Sequence, residues 1–177
     1  MVEIGATTPK RENRDESQTV SVKTSDGKLI KLPLYLAEYS KTIKNLLDDG
    51  NEEEEILLPS ISEKTMNKII EYLHYLKDNP EPTISKPITT GDIHDFTEQW
   101  YANFIDIEDH LFVFDIITAT NFLDIKSLLD LGCAKIATLI KVREAPAIRE
   151  LFGIENDFTP EEEKKIIEEN DWAQQNF

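Results

Sequence analysis

The side chains able to do chemistry are few, and their spacing argues against a reaction centre. Imidazoles ligate metals or move protons, and the histidines are His74, His94 and His110. They are scattered, with neither His-Glu-x-x-His spacing nor a cysteine pair to close a metal site. His74, on a helix flank beside Tyr72 and Tyr75, reads as a partly buried packing residue. Cys133, the one cysteine, falls among apolar residues and reads as a small hydrophobe in a core or an interface. With six glycines and no glycine-rich loop, nothing is shaped to cradle a phosphate. Carboxylates abound, but mainly in exposed runs where a pKa tuned for catalysis is not expected. The expectation is no catalytic residue, no metal and no cofactor.

Bulk properties point the same way. A chain of 177 residues makes one domain, or a small domain with an appendage, and 40% apolar content is enough for a core. The formal charge of −16 would repel a phosphate backbone or an anionic membrane, leaving basic protein surfaces as natural partners. A single cysteine excludes an intramolecular disulfide and fits a reducing compartment. No apolar run reads as a signal peptide or a membrane span, so the expected location is cytoplasm and nucleus. Residues 1–18 read as a disordered, charge-rich extension.

The elements that would position any site begin with a hairpin. "TVSVKTSDGKLIKLP" alternates around Asp26-Gly27, predicting strands near Val20–Thr24 and Leu29–Leu32. Two short helical pieces follow, the second capped by Ser40, then an acidic loop over Asp48–Glu55 and a short buried strand in "ILLP" at 56–59. Ser62 caps a helix with Met66, Ile69, Ile70 and Leu73 at i, i+3, i+4, i+7 spacing. A proline-rich stretch, 77–91, reads as a linker or long loop before an all-helical half. Leu111–Ala119 is apolar almost throughout, predicting a helix buried on most sides. In the next helix Ile125, Leu128, Leu129, Gly132, Cys133, Ile136, Ala137 and Ile140 fall on one predicted face. A short helix near Pro146–Phe152 follows.

The end of the chain has a clear helix start and an unclear packing face. Thr159 stands as N-cap, Pro160 at the first helical position and Glu162 three residues after the cap. Ile166 and Ile167 point one way, and Trp172 lies off that stripe. Two readings stand open: a frayed acidic tail, or a segment that waits for a partner.

"NFLDIKSLLDLGCAKIATLIK" (121–141) and "FGIENDFTPEEEKKIIEENDWA" (152–173) closely resemble the S-phase kinase-associated, or Skp-type, adaptors of SCF ubiquitin ligases. "VSVKTSDGKLIKLPLYLAEYSKTIKNLLDD" resembles their N-terminal region, so the resemblance covers about residues 20–173. It implies an α/β fold: a BTB/POZ-type domain over 19–125 with a loop or linker at about 77–95, then a C-terminal helical region over 126–177. It also implies a non-catalytic adaptor that bridges a cullin to F-box proteins. The alternative is a BTB-fold scaffold of a transcriptional or kinetochore assembly. The family's cullin-contacting Asn-Tyr pair lands on Asn121 and Phe122, where Phe removes a hydroxyl. Its F-box contacts carry over to Cys133, Ile136, Ile140, Phe152, Ile154, Asn156, Asp157, Phe158, Asn170 and Trp172. The resemblance thereby favours the waiting segment, with Trp172 and the isoleucines filling grooves on an F-box. Two stretches depart from the family. "VREAPAIR" replaces "GKTPEEIR", putting Glu144 at the capping position and shifting the proline to Pro146, and "FIDIEDH" replaces "FLKVDQ", placing Asp106 where the family has lysine.

Overall fold

The computed structural model describes residues 18–48 and 55–170. Most of the predicted N-terminal extension and acidic loop, together with Trp172 and Phe177, lie outside them.

Strands β1 (Thr19–Lys23) and β2 (Leu29–Pro33) pair antiparallel, with Val20 opposite Leu32 and Val22 opposite Ile30. Their connection is a three-residue loop rather than a two-residue turn. Thr24 N–H donates to the Lys28 carbonyl and Gly27 N–H to the Thr24 carbonyl, with Gly27 at φ +77°. That left-handed position is the one glycine fills without steric cost. Asp26 accepts from the Thr24 hydroxyl at 2.6 Å and from Glu63 N–H at 3.1 Å. The first of these bonds is the main cause that holds its carboxyl below the usual range.

Helices α1 (Leu34–Ala37) and α2 (Lys41–Asp48) follow, then β3 (Ile56–Leu57), which adds parallel to β1 and gives the order β2-β1-β3. The "ILLP" strand is thus shorter than expected and buried only at alternate positions: Ile56 and Leu58 point in, Leu57 out. Helix α3 (Glu63–Asp78) starts on Ser62, whose hydroxyl accepts from Thr65 N–H, and buries Met66, Ile69, Tyr72, Leu73 and Leu76. His74 is exposed and meets the Tyr35 hydroxyl at 3.3 Å, so it packs at the surface and not within the core.

Residues 79–92 are irregular, as the prolines require, but they are no free tether. The Tyr101 hydroxyl donates to the Pro80 carbonyl, Ser85 N–H donates to the Phe96 carbonyl at 2.8 Å, and Ile84 packs against the core. After a 3₁₀ turn at Ile93–Asp95 come α4 (Gln99–Ile105), α5 (His110–Leu123), α6 (Lys126–Lys141), α7 (Ala145–Phe152) and α8 (Pro160–Glu169). One core runs unbroken from Val20 in the sheet to Leu139 in α6.

Two expectations about the helical half need correction. Helix α5 is not buried on most sides, because Leu111, Phe114 and Phe122 are exposed. In α6 the single predicted face splits. Leu128, Gly132 and Ile136 point inward, joined by Leu131, Ala134, Thr138 and Leu139, while Cys133 and Ile140 point outward. The cause is that α6 packs against α5, α4 and the 3₁₀ turn together, so its buried arc is wider than one apolar stripe. Gly132 sets the α5–α6 approach, since a Cβ there would sit 2.7 Å from Ile117 Cγ1.

Helix α5 ends at a left-handed residue. Asp124 takes φ 51°, its N–H donates to the Asn121 carbonyl, and Ile125 N–H donates to the Thr120 carbonyl at 2.9 Å. This is the Schellman arrangement, with an aspartate where glycine is usual. The two carbonyls left free by the turn are taken by α2. The Ser40 hydroxyl donates to Leu123 at 2.6 Å and the Thr42 hydroxyl to Phe122 at 2.7 Å. Buried Ser40 also accepts from Ile43 N–H at 3.1 Å, so it caps α2 as expected and anchors α5 at once. Ser40→Ala should therefore lower the unfolding free energy by about 1–3 kcal/mol, because both groups lose this partner in a buried site. Urea unfolding with an unchanged slope and a lower midpoint is the expected result, and an unmoved midpoint would remove Ser40 as the anchor.

Candidate partner-binding surfaces

The turn that closes α5 builds the first surface. Leu123 and Ile125 are buried on either side of it, which turns Asn121, Phe122 and Asp124 outward. Phe122 is 41% exposed although it is a large aromatic, and its backbone is fixed by Thr42. Lys41 pairs with Asp124 at 3.1 Å on the rim. Asn121 and Phe122 are thus brought together at an exposed, braced corner.

The same helix continues the exposure. Leu111, Phe114, Asp115, Thr118 and Phe122 recur at helical spacing along its outer side. Leu111 is 65% exposed, and Phe114 stands edge-on to Phe152 with centroids 5.3 Å apart. The sequence reading missed Leu111 and Phe114. Their signal was Asp115 and Thr118, two polar positions that mark the outer face of an otherwise apolar helix.

The second surface gathers the ends of α6, α7 and α8. Cys133 is exposed on α6, and partial desolvation of its thiol, with the Asp130 charge second, raises its pKa, so it is no activated nucleophile. Ile140 is exposed, whereas Ile136 lies in the core. Phe152 is half-buried against Phe114, and Gly153 ends α7 at φ +64°. The chain then runs exposed through Ile154, Asn156, Asp157 and Phe158. Phe158 N–H donates to the Asn156 side-chain oxygen at 3.3 Å, and Arg149 lies 5.8 Å from the Phe158 ring centroid. Helix α7 begins at Glu144 without a side-chain cap, the consequence of the altered "VREAPAIR" stretch.

Helix α8 starts as its sequence dictates. The Thr159 hydroxyl accepts from Glu162 N–H while the Glu162 carboxylate accepts from Thr159 N–H at 2.9 Å, closing the capping box. The Thr159 N–H, and after it the Thr159 hydroxyl, donate to the Glu162 carboxylate and hold it below the usual range. Arg149 pairs with Glu163 at 3.1 Å and links α7 to α8. No residue of α8 is buried: Ile166 is 41% and Ile167 53% exposed, and Asn170, exposed, closes the helix end by donating to the Ile166 carbonyl at 2.8 Å. A helix that is well capped and buries nothing presents its apolar side chains outward.

Polar groups elsewhere brace the scaffold. Lys135 is buried on α6 and reaches Asp106 at 2.5 Å, so the aspartate found at a family lysine position acts as a partner for Lys135. His94 is held between Asn103 and Asp92, each at 2.8 Å, and these bonds raise its pKa. Among the described residues no three His, Cys, Asp or Glu side chains are grouped to hold a metal, and no helix is long and apolar enough to cross a membrane.

Comparison with known proteins accounts for this arrangement. The family model for the Skp1 family tetramerisation domain matches residues 18–78, and that for the Skp1 family dimerisation domain matches 126–173. An S-phase kinase-associated protein 1 homolog of Tetrahymena thermophila is 43% identical over 159 residues, covering 90% of this chain and 96% of that protein. The E3 ubiquitin ligase complex SCF subunit sconC of Talaromyces stipitatus is 39% identical over 165 residues, covering 89% and 98%. Its namesake in Emericella nidulans is 40% identical over 152 residues, covering 85% and 93%. The three-stranded sheet with its helices is the POZ part of that fold, the later helices its C-terminal extension, and the chain belongs to the Skp1 family.

Proposed function

We propose that this chain is a non-catalytic adaptor that bridges a cullin to F-box substrate receptors in an SCF E3 ubiquitin ligase. The observation that carries the reading is a single core bearing two exposed apolar surfaces that meet at Phe114 and Phe152, in a chain about 40% identical to named SCF subunits over nearly their whole length. Those names favour the ligase over a transcriptional or kinetochore scaffold. The cullin meets the braced corner at Asn121 and Phe122. The F-box protein meets Cys133, Ile140, Phe152, Ile154, Asn156, Asp157, Phe158 and Asn170, with Trp172 beyond the described residues. Ile136, buried in the core, belongs to the same set. The protein accelerates ubiquitin transfer by raising the effective concentration of substrate near the ligase, not by chemistry of its own. The cytoplasm and nucleus are its compartment, consistent with a lone cysteine.

Two variants separate the two surfaces. Asn121→Lys with Phe122→Lys should weaken cullin binding at least about thirtyfold, the loss of roughly 2 kcal/mol at an aromatic anchor. F-box binding, circular dichroism and the melting temperature should stay as in the parent, because both side chains point outward. Titration calorimetry with a purified cullin N-terminal domain reads this directly; undiminished cullin affinity would refute the assignment.

On the other side, Ile166→Asp with Ile167→Asp should cost at least about tenfold in F-box affinity, since each isoleucine offers about 1.5–3 kcal/mol of burial. Cullin affinity and thermal stability should not move. Amide exchange adds an independent reading. Residues 161–170 should become strongly protected when an F-box domain binds, and protection already complete in the free chain would mean that α8 is not ordered by its partner.

A further inference from the structure

Helix α8 is set on the domain by very little, and what sets it is ionic. Of residues 160–169 only Glu163 is partly withdrawn from solvent, and it is an acid, not one of the isoleucines. Its Oε1 accepts from Arg149 Nη1 at 3.1 Å, and Asn156 Nδ2 lies 3.5 Å from the same oxygen. Arg149 belongs to the last turn of α7 and Asn156 to the exposed connection. One carboxylate oxygen therefore gathers the end of α7, the connection and the first turn of α8. The other ion pairs of α8, Lys164 with Glu168 at 3.7 Å and Lys165 with Glu169 at 3.8 Å, run within the helix.

Three features set this pair apart from an ordinary surface contact. The first is withdrawal: the Arg149 and Glu163 side chains are 22% and 38% exposed, against 78% and 66% for Lys164 and Glu168, so water screens the bridging pair less. The second is placement. Arg149 stands where the dipole of α7 favours a cation and Glu163 where the dipole of α8 favours an anion, so each helix holds its own charge ready for the other. The third is anchoring. As α7 ends on left-handed Gly153, the Arg149 carbonyl accepts from Ile154 N–H at 2.8 Å, and its guanidinium carbon lies 5.8 Å from the Phe158 ring centroid. The same arginine thus holds the start of the connection with its backbone and the end of it with its side chain.

We propose that Arg149 and Glu163 form an ionic clasp that positions α8 and Phe158 for an F-box protein, and that neither side chain touches the partner to do so. The inference rests on the assignment of Phe158 and α8 to F-box partners. A helix that buries nothing keeps its placed orientation in only part of the free population, and a partner's affinity is reduced by that fraction. The clasp raises the fraction. Arg149 and Glu163 are therefore positioning residues, and their pairing gives F-box binding a dependence on salt that arises inside the adaptor and not across the interface.

The test is a double-mutant cycle on the full chain, read by calorimetry with a purified F-box domain and by NMR relaxation of the free chain. Arg149→Met and Glu163→Gln should each weaken F-box binding about two- to fivefold. The double variant should lose no more than the larger single loss, because its second change removes a pair already broken. Cullin affinity and the melting temperature should stay as in the parent, since α8 adds nothing to the core. In the free chain, backbone amides 161–169 should gain motion in every variant while the rest of the chain keeps its own. At high salt the parent should lose its advantage over the double variant. Losses that multiply in the double variant would mean that each residue meets the partner separately, and unchanged affinity or unchanged relaxation over 161–169 would mean that the pair positions nothing. Either result overturns the proposal while leaving the adaptor reading in place. Failure of the parent chain to bind any F-box domain would instead sink the adaptor reading, and this proposal with it.

Discussion

Everything that distinguishes the two surfaces depends on how α5 stops. A helix end exposes carbonyls that must find partners, and here the left-handed Asp124 and the hydroxyls of Ser40 and Thr42 supply them. That small set of bonds ties the sheet-bearing half to the helical half across some eighty positions of sequence. It fixes the direction in which α6 departs and the way Phe122 faces. The corner is therefore as stiff as the core behind it, and a partner that grips it gains a handle on the whole α5–α6 pair.

The rest of the chain divides its apolar residues between self and others. Leu111, Phe114, Phe122, Ile140, Ile154, Phe158, Ile166 and Ile167 are all left exposed. Water-facing residues of this size, in such number, mark contact sites. A chain with so much exposed apolar surface needs something to oppose self-association, and the formal charge of −16 does so. The same charge leaves partners with basic flanks free to approach. The acidic first turn of α8 fits that scheme, because Glu161, Glu162 and Glu163 complement the helix dipole while the isoleucines a turn later wait outside.

What could be read in advance was local. The hairpin, the Ser40 and Ser62 caps, the α3 stripe and the Thr159 capping box depend on residues within a few positions of one another, and each formed as its neighbours dictate. What escaped reading was tertiary. No periodicity announces that α6 is contacted from three directions, nor that buried Lys135 meets Asp106 at the end of α4. The composition of α5 could not tell burial in its own core from burial under a partner, since both ask for leucine and phenylalanine. His74, read as partly buried beside its aromatic neighbours, is exposed, while Tyr72 takes the interior. The corner at Asn121 and Phe122 was legible only through the resemblance. The proline-rich segment, read as a linker or long loop, is an irregular loop, and what its composition could not show is the bonding of Pro80, Thr83, Ser85 and Thr90 to residues 95–101.

Helix α5 also acts as a ruler with a built-in angle. Phe114, beside α7, and Phe122, at the braced corner, are eight residues apart, which is about 12 Å of rise and slightly more than two turns. Whatever grips one end is held at that pitch and azimuth relative to whatever grips the other. A single inserted residue would add only about 1.5 Å of length but would swing one face by about 100° about the axis. The geometry of a bound assembly is therefore far more sensitive to the phase of this helix than to its length, and substitution is a gentler route than insertion or deletion for changing its partners.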